Sequence, residues 1–295
     1  MQTQTLRVNG IDLFVHSMGD PAAPLLLFLH GFPEHSGAWD EVLPAFATEF
    51  HAVAPDQRGY ARSSKPEGVE AYRVKSLVRD VLAVGDQLSP NAPFAIVGHD
   101  WGASVAYATA IAAPNRISRL VVINGVHPGP FQRALVENEA QRQASSYMHY
   151  LRAPEAEARL SANGFERLLA MLSRFGPQPW LTPEKRAAYV EAWSAPGALT
   201  AMLNWYRASP LVVPQPGETV DPAKVMKLDP ALLRIRMPHL VLWGMDDRAL
   251  LPVSRATLAD YCDDLTVREV AGADHWVVHQ RTDVVIGHLR DFLAG

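Results

Sequence analysis

The sequence predicts an α/β fold in which a mostly parallel central sheet is flanked by helices and carries an inserted helical cap. In the first 125 residues, short apolar runs of strand length alternate with helical stretches. This alternation stops between about residues 125 and 230, where longer amphipathic and aromatic-rich helical segments with frequent proline follow one another. It resumes after residue 230. We therefore predict a core domain of residues 1–125 and 231–295 and a helical cap domain of residues 126–230.

The first elements should form a β-hairpin. Residues 5–8 and 11–16 flank Asn9-Gly10, a dipeptide that favours a type I′ turn. The remaining predicted strands are residues 25–29, 52–54, 94–97, 117–123, 239–243 and 265–270. Helical character is expected at residues 39–47, 74–88 and 103–113. In such sheets the functional groups lie beyond the carboxyl ends of the strands.

Composition limits the classes of function. A chain of 295 residues with 48% hydrophobic content can build one large domain and a smaller one. The net charge of −4 predicts no nucleic-acid partner, and the single cysteine, Cys262, excludes an internal disulfide framework. The first ten residues lack a signal pattern, and no apolar run is long enough to span a bilayer. We expect a cytoplasmic monomer or homodimer that needs no cofactor or metal.

The most informative motif is a nucleophile turn with an unusual residue at its centre. Residues 98–102 read Gly-His-Asp-Trp-Gly and lie between a predicted strand and a predicted helix, the context expected for a Gly-x-nucleophile-x-Gly turn. The central Asp100 is a carboxylate at neutral pH, so it can attack a saturated carbon without first losing a proton. The product would be an alkyl ester on the protein. The alternative is that Asp100 is only a helix N-cap.

Hydrolysis of such an ester needs hydrogen-bond donors for the oxyanion that develops on the Asp100 carbonyl. Residues 30–33 read His-Gly-Phe-Pro and follow the predicted strand 25–29. The backbone N–H groups of Phe32 and Trp101 are the predicted donors. The alternative is an ordinary Gly-Pro turn. His30, at the start of this segment, is a candidate substrate-binding residue.

The same hydrolysis needs a base to activate water. Residues 243–247 read Trp-Gly-Met-Asp-Asp after the strand 239–243, and we assign Asp247 as the acid, with Asp246 as the alternative. His275 follows the predicted strand 265–270 and is the predicted base, since it completes the chain order nucleophile, acid, histidine. His279 and His288 fall in the C-terminal helical region and are expected to be structural.

Two aromatic segments of the cap are candidates for contact with substrate. Residues 145–150 read Ser-Ser-Tyr-Met-His-Tyr, and residues 203–207 read Leu-Asn-Trp-Tyr-Arg. Phenols that point from a lid into a cavity could donate hydrogen bonds to a leaving oxygen as its bond to carbon breaks. The alternative is that these aromatic side chains are packing residues.

Taken together, these motifs resemble the epoxide hydrolases of the α/β-hydrolase superfamily over almost the whole chain. The matching segments are residues 30–34, His-Gly-Phe-Pro-Glu, residues 56–66, Asp-Gln-Arg-Gly-Tyr-Ala-Arg-Ser-Ser-Lys-Pro, and residues 98–103, Gly-His-Asp-Trp-Gly-Ala. The resemblance implies an α/β-hydrolase fold and the conversion of a small apolar epoxide and water into a vicinal diol.

By motif, the resemblance also implies the roles of individual residues. Asp100 would form a covalent ester, and His275 with Asp247 would activate the hydrolytic water. Tyr147 and Tyr206 would hold the epoxide oxygen. Tyr150 lies one helical turn from Tyr147 and is the alternative first tyrosine. Tyr150 and His149 are further candidates for contact with substrate.

Two other functions stay open. Haloalkane dehalogenases resemble the chain in Trp101 but usually carry Asn at the position of Phe32. Haloacetate dehalogenases are similar in residues 147–150, but they hold the substrate carboxylate with arginines where this chain has Trp101 and Ser104. A ligand-binding homologue without activity is a third possibility, against which the complete set of Asp100, Asp247 and His275 argues.

Overall fold

The computed structural model describes residues 1–221, 225 and 229–295, and these residues form one sheet of eight strands. The strands are β1 (Gln2–Val8), β2 (Ile11–Met18), β3 (Leu25–Leu29), β4 (His51–Pro55), β5 (Phe94–His99), β6 (Ile117–Ile123), β7 (His239–Gly244) and β8 (Leu265–Val270). Their order across the sheet is β1-β2-β4-β3-β5-β6-β7-β8. Strand β2 is antiparallel to both of its neighbours, and all other pairs are parallel. The predicted α/β fold with a mostly parallel sheet is confirmed.

The hairpin at the N-terminus has the predicted turn. Asn9 and Gly10 have φ angles of 47° and 78°, and Val8 pairs with Ile11 across the turn. Positive φ at both central residues is what a two-residue type I′ turn requires, and asparagine and glycine tolerate it best.

The core lies on both faces of the sheet. All five residues of β3 are buried, and they alternate between two hydrophobic clusters: Leu25, Leu27 and Leu29 join one, and Leu26 and Phe28 join the other. This division follows from the pleat of a strand, which sends successive side chains to opposite faces. A strand covered on both sides therefore reads as a continuous apolar run.

Helices cover both faces of the sheet. They are α1 (Val74–Leu88), α2 (Trp101–Ala112), and near the C-terminus α9 (Val277–Gln280) and α10 (Thr282–Ala294). The predicted helix over residues 39–47 is instead two short 3₁₀ turns, Ser36–Trp39 and Leu43–Phe46. Pro44 lies in the second turn, and because proline has no backbone N–H, it disfavours a continuous α-helix through this segment.

Between β6 and β7 the chain forms a run of helices that we call the inserted helices. They are α3 (Pro128–Glu137), α4 (Glu139–Ala144), α5 (Tyr147–Arg152), α6 (Ala156–Leu172), α7 (Pro183–Ser194) and α8 (Ala198–Ala208). Helix α6 contains a break at residues 162–165, where the φ/ψ angles are not helical. Part of the predicted cap, residues 222–224 and 226–228, lies outside the described residues.

Buried hydrogen bonds attach the inserted helices to the rest of the fold. The indole of Trp193 on α7 donates to the Pro33 carbonyl over 2.6 Å, and the indole of Trp205 on α8 donates to the Arg58 carbonyl over 3.0 Å. Both rings are buried. Pro33 follows β3, so α7 is attached directly beside the carboxyl end of that strand. Within the described part of the chain, no helix is both long and apolar enough to cross a bilayer.

Candidate active site

Four parallel strands bring the main candidate residues to one edge of the sheet. Phe32 follows β3, Asp100 follows β5, Asp247 follows β7 and His275 follows β8. Because the carboxyl ends of parallel strands meet at the same edge, residues far apart in sequence become neighbours there. Strands β5, β6, β7 and β8 lie side by side in this part of the sheet.

Asp100 occupies the sharp turn between β5 and α2. Its φ of 51° lies in the left-handed region, where residues other than glycine are strained, and its side chain makes no capping hydrogen bond to α2. Asp100 is the N-cap residue of α2 by position, but its carboxylate makes no capping hydrogen bond and is left for other contacts. A Cβ atom on Gly102 would overlap the Leu29 carbonyl oxygen, so glycine at this position lets α2 begin close against the end of β3.

One oxygen of Asp100 is held by the turn after β3. The backbone N–H of Phe32 donates to Oδ1 over 2.7 Å. A Cβ atom on Gly31 would lie 2.6 Å from the same oxygen, so only glycine allows this close approach. Trp101 is the first residue of α2, where backbone N–H groups lack helical partners. In the described structure, the Trp101 N–H makes no hydrogen bond to the carboxylate.

His275 lies between two carboxylates. Its Nδ1 is 2.7 Å from Asp247 Oδ2, and its Nε2 is 3.4 Å from Asp100 Oδ2. Asp247 is buried and also accepts hydrogen bonds from the side chain of Asn124 and the backbone N–H groups of Ala249 and Leu250. These bonds fix the carboxylate that orients the imidazole. Asp246, the alternative acid, is exposed.

The electrostatics of this group favour an ionised Asp247 carboxylate beside a protonated imidazole. Burial lowers the pKa of His275, but the Asp247 carboxylate and the hydrogen bonds to Asp100 and Asp247 outweigh burial and raise the pKa well above its ordinary value. Burial raises the pKa of Asp247, yet the charge and hydrogen bond of His275 reverse this and lower it. Neutralising Asp100 would remove one of the causes that raise the pKa of His275.

Two phenols of the inserted helices face the same site. Tyr147 begins α5 and Tyr206 lies in α8, and their ring centroids are 6.3 Å apart at 80°. The Tyr206 ring is 5.1 Å from that of Phe32 and 5.1 Å from that of Trp101. Burial, together with the nearby Asp100 charge, raises the pKa of both phenols well above the ordinary value. Both hydroxyl groups therefore keep their protons at neutral pH and can act as donors.

A small cavity joins these groups. Its wall is mostly apolar and comprises Phe32, Pro33, Asp100, Tyr147, Met171, Arg174, Phe175, Tyr206, Ala249, His275 and Trp276. An apolar cavity with a few convergent polar groups is the usual form of a small-molecule site. Within the described ranges, no cluster of His, Cys, Asp and Glu is suited to holding a metal ion.

The structure does not bring His30 to this cavity. The ring is fully buried, with Nε2 accepting from the Gln57 backbone N–H over 3.0 Å and Nδ1 2.9 Å from the Gly31 carbonyl oxygen. Burial lowers the pKa of His30 to about 4, so the imidazole is neutral. Both nitrogens are used within the protein, and the ring supports the turn that carries Phe32 rather than contacting substrate.

His149 and Tyr150 also lie away from the cavity wall. The Tyr150 hydroxyl accepts a hydrogen bond from Arg167 over 3.1 Å, and the His149 ring approaches the Pro214 carbonyl at 3.5 Å. Of the two candidate tyrosines on α5, Tyr147 therefore faces the site.

A buried carboxylate beside the site was not singled out as functional by sequence reasoning. Glu34 is 1% exposed, and its Oε1 accepts hydrogen bonds from the Tyr189 hydroxyl and from His279 Nε2, each over 2.7 Å. Its Oε2 lies 3.4 Å from His99 Nδ1, and His99 Nε2 is 2.8 Å from the His275 carbonyl oxygen. Burial raises the pKa of Glu34, but the two histidines outweigh burial and lower it well below its ordinary value.

This network links the turn after β3 to the backbone of His275. His279, which was expected to be structural, lies in the short α9 against Glu34. The position of Glu34 directly after the His-Gly-Phe-Pro segment was the available signal in the sequence.

Comparisons with known proteins agree with this architecture. Residues 24–282 match the family model described as the alpha/beta hydrolase fold. The chain is 33% identical to the AB hydrolase superfamily protein YfhM of Bacillus subtilis, over 99% of this chain and 98% of that protein. It is 30% identical to Epoxide hydrolase 4 of Mus musculus, over 98% of this chain and 78% of that protein.

Among solved structures, an epoxide hydrolase from metagenomes of hot environments superimposes with a TM-score of 0.90 at 35% identity, covering 100% of this chain and 99% of that one. The chain belongs to the α/β-hydrolase superfamily and, within it, to the epoxide hydrolases.

Proposed function

We propose that the protein converts an epoxide into a vicinal diol through a covalent ester on Asp100. The observation that carries this proposal is the placement of Asp100, whose Oδ1 is bound by the Phe32 N–H while Oδ2 lies 3.4 Å from His275 Nε2, in a cavity shared with two protonated phenols. Residues 126–230 would form a cap over a core of residues 1–125 and 231–295, and closure by the cap would exclude bulk water from the site.

In the first step, Asp100 Oδ2 attacks the less hindered carbon of the epoxide. The bond between that carbon and the ring oxygen breaks, and its electron pair stays on the oxygen. Tyr147 and Tyr206 donate hydrogen bonds to this oxygen and supply the proton that makes it a hydroxyl group. The raised pKa of both phenols suits this role, because each keeps its proton until the oxygen becomes strongly basic.

In the second step, His275 draws a proton from water as the water oxygen attacks Cγ of Asp100. Formation of the ester has removed the Asp100 charge, so the pKa of His275 falls; the imidazolium gives its proton back to the phenolate left by the first step and becomes a base, still oriented by Asp247. The developing oxyanion on Oδ1 is stabilised by the Phe32 N–H and by the free N–H of Trp101 at the start of α2. The bond from Cγ to Oδ2 breaks, and Oδ2 takes the second proton of the water from the new carboxyl group. The diol leaves with Oδ2, and Asp100 is again a carboxylate beside protonated His275.

A hydrolytic dehalogenase would use the same carboxylate but needs donors for a departing halide. Phe32 has no side-chain donor at the position where haloalkane dehalogenases usually carry Asn. The ring of Trp101 packs edge-on against that of Tyr206, with centroids 5.1 Å apart, and is not part of the cavity wall. The cavity therefore provides phenol donors for an oxygen and no free side-chain pair for a halide.

The decisive experiment is a single turnover of a styrene-oxide-type epoxide with excess protein in ¹⁸O-labelled water. Because hydrolysis breaks the bond from Cγ to Oδ2, we expect the label in the Asp100 peptide and unlabelled diol. Label in the diol of the first turnover would contradict the ester mechanism.

A parallel set of measurements separates the alternative functions. The His275→Gln variant should accumulate an epoxide adduct on Asp100 that is visible by mass spectrometry. Haloalkanes and haloacetates are tested alongside: halide release without diol formation would identify a dehalogenase, and no turnover or adduct with any substrate would favour a binding protein.

A further inference from the structure

A positively charged side chain lies at the opening of the catalytic cavity. Arg174 follows helix α6, is exposed to solvent and lines the same cavity as Asp100, Tyr147 and Tyr206. Its guanidinium carbon is 5.8 Å from the Tyr147 ring centroid and 5.9 Å from that of Phe175. These contacts with two rings hold the charge over the cavity.

Arg174 has no counter-charge within the described ranges 1–221, 225 and 229–295. Arg207 and Arg159 of the inserted helices do have one, at 2.6 Å from the Glu157 carboxylate and 2.7 Å from that of Glu155. Arg152 and Arg167 lack a carboxylate partner in the described structure but are hydrogen-bonded to carbonyl and hydroxyl oxygens. The carboxylate in the cavity, Asp100, is already bound by the Phe32 N–H. Since a guanidinium stays protonated at any physiological pH, the cavity opening carries an uncompensated positive charge.

We infer that Arg174 binds a carboxylate at the distal end of the substrate, so that the preferred substrates are epoxides with an apolar body and an acidic end. The inference rests on the proposed function. The apolar body would lie against Phe32, Met171 and Phe175, and the epoxide would lie between Asp100 and the two phenols. A guanidinium matches a carboxylate in both charge and planar geometry. This substrate class differs from the small, purely apolar epoxide that sequence reasoning predicts.

The same cation also acts on Tyr147, which suggests a competing role. The positive charge of Arg174 acts to lower the pKa of the Tyr147 phenol, whereas burial raises it. If Arg174 served only to stabilise the oxygen released from the epoxide, its loss would slow every epoxide equally. If it binds a carboxylate, its loss would penalise only acidic substrates, mainly through KM.

The test compares an epoxy fatty acid with its own methyl ester, which has the same epoxide and apolar body but no charge. The variants are Arg174→Gln and Arg167→Gln. Arg167 is an exposed arginine on α6 whose guanidinium reaches the Tyr150 hydroxyl outside the cavity. Both variants remove one positive charge from the same region, so Arg167→Gln controls for general electrostatic attraction of the acid. Diol formation gives kcat and KM for each pair, and thermal melting checks the fold.

We expect wild-type protein to prefer the acid by about tenfold in kcat/KM, as for a charge-assisted bond at a partly exposed site. This ratio should fall towards one in Arg174→Gln, through KM, and stay at the wild-type value in Arg167→Gln. High salt should lower the ratio in wild type.

Equal kcat/KM values for acid and ester in wild type would overturn the inference. The inference would also be overturned if the acid-to-ester ratio of kcat/KM stayed unchanged in Arg174→Gln, including the case in which both substrates slow equally. It would likewise be overturned if Arg174→Gln and Arg167→Gln lowered this ratio by the same factor. Hydrolysis of the ester in any of these cases leaves the proposed function standing. Failure of wild type to hydrolyse either substrate would overturn the inference, and failure to convert the styrene-oxide-type epoxide as well would refute the proposed function.

Discussion

Replacing Tyr206 with phenylalanine removes one of the two cavity hydroxyl groups and leaves the ring in place. The ring is 2% exposed and retains its edge contacts with Phe32 and Trp101, both at 5.1 Å between centroids. The loss in stability is confined to the hydrogen bonding of the hydroxyl, which we put at about 1 kcal/mol. The variant should therefore fold.

The effect on catalysis should be much larger than the effect on stability. In the proposed mechanism, the epoxide oxygen gains negative charge as its bond to carbon breaks, and the two phenols stabilise it. Removing one preorganised donor in a water-poor site costs about 100-fold in rate. We expect ester formation on Asp100 to slow by this factor, while hydrolysis of the ester, which depends on His275 and Asp247, continues at close to the wild-type rate.

The assay mixes excess protein rapidly with epoxide, quenches at intervals and measures the Asp100 ester by mass spectrometry. Tyr150→Phe is the matched control, because Tyr150 loses the same atom but its hydroxyl binds Arg167 outside the cavity. Ester formation at the wild-type rate in Tyr206→Phe would refute the assigned role. An equal loss in Tyr150→Phe would show that the effect is not specific to the cavity.

Three further outcomes follow from the geometry. Asp247→Asn should slow ester hydrolysis by about 100-fold or more, because the amide cannot stabilise protonated His275. The decay of the ester is followed by quenched flow, and an unchanged rate of decay would exclude Asp247 as the acid. The rate of ester hydrolysis should rise with pH and level off above the pKa of His275, which Asp247 still raises after Asp100 is esterified; a rate independent of pH would argue against His275 as the base. Gly102→Ala should destabilise the fold by about 3 kcal/mol, because the alanine Cβ would overlap the Leu29 carbonyl oxygen. Urea unfolding measures this loss, and stability equal to wild type would mean that α2 can move away from β3.

Much of the fold was predictable because its signals are local. The Asn9-Gly10 turn depends on two residues that tolerate positive φ, and the hairpin forms as expected. The continuous apolar run of β3 reflects burial on both faces of a parallel sheet. The conformation of residues 39–47 was less predictable, because a single proline interrupts a pattern that otherwise resembles an α-helix.

The backbone parts of the site were also predictable. Phe32 and Asp100 each follow a strand, and strands of known direction place their carboxyl ends at one edge whatever the details of packing. The orientation of side chains on the inserted helices was less predictable. Tyr147 and Tyr150 are one helical turn apart, so only the packing of α5 decides that Tyr147 lines the cavity while Tyr150 binds Arg167.

The sequence by itself determined the α/β architecture and the strand-to-helix turn at Asp100, because each depends on backbone preferences within a few neighbouring residues. Only the tertiary structure decided that His30 supports a turn, that Glu34 binds His279 across 245 positions of sequence, and that Arg174 faces the cavity without a partner in the described structure. These outcomes depend on which distant segments pack together. Burial and electrostatic pairing are properties of that packing rather than of any local stretch of chain.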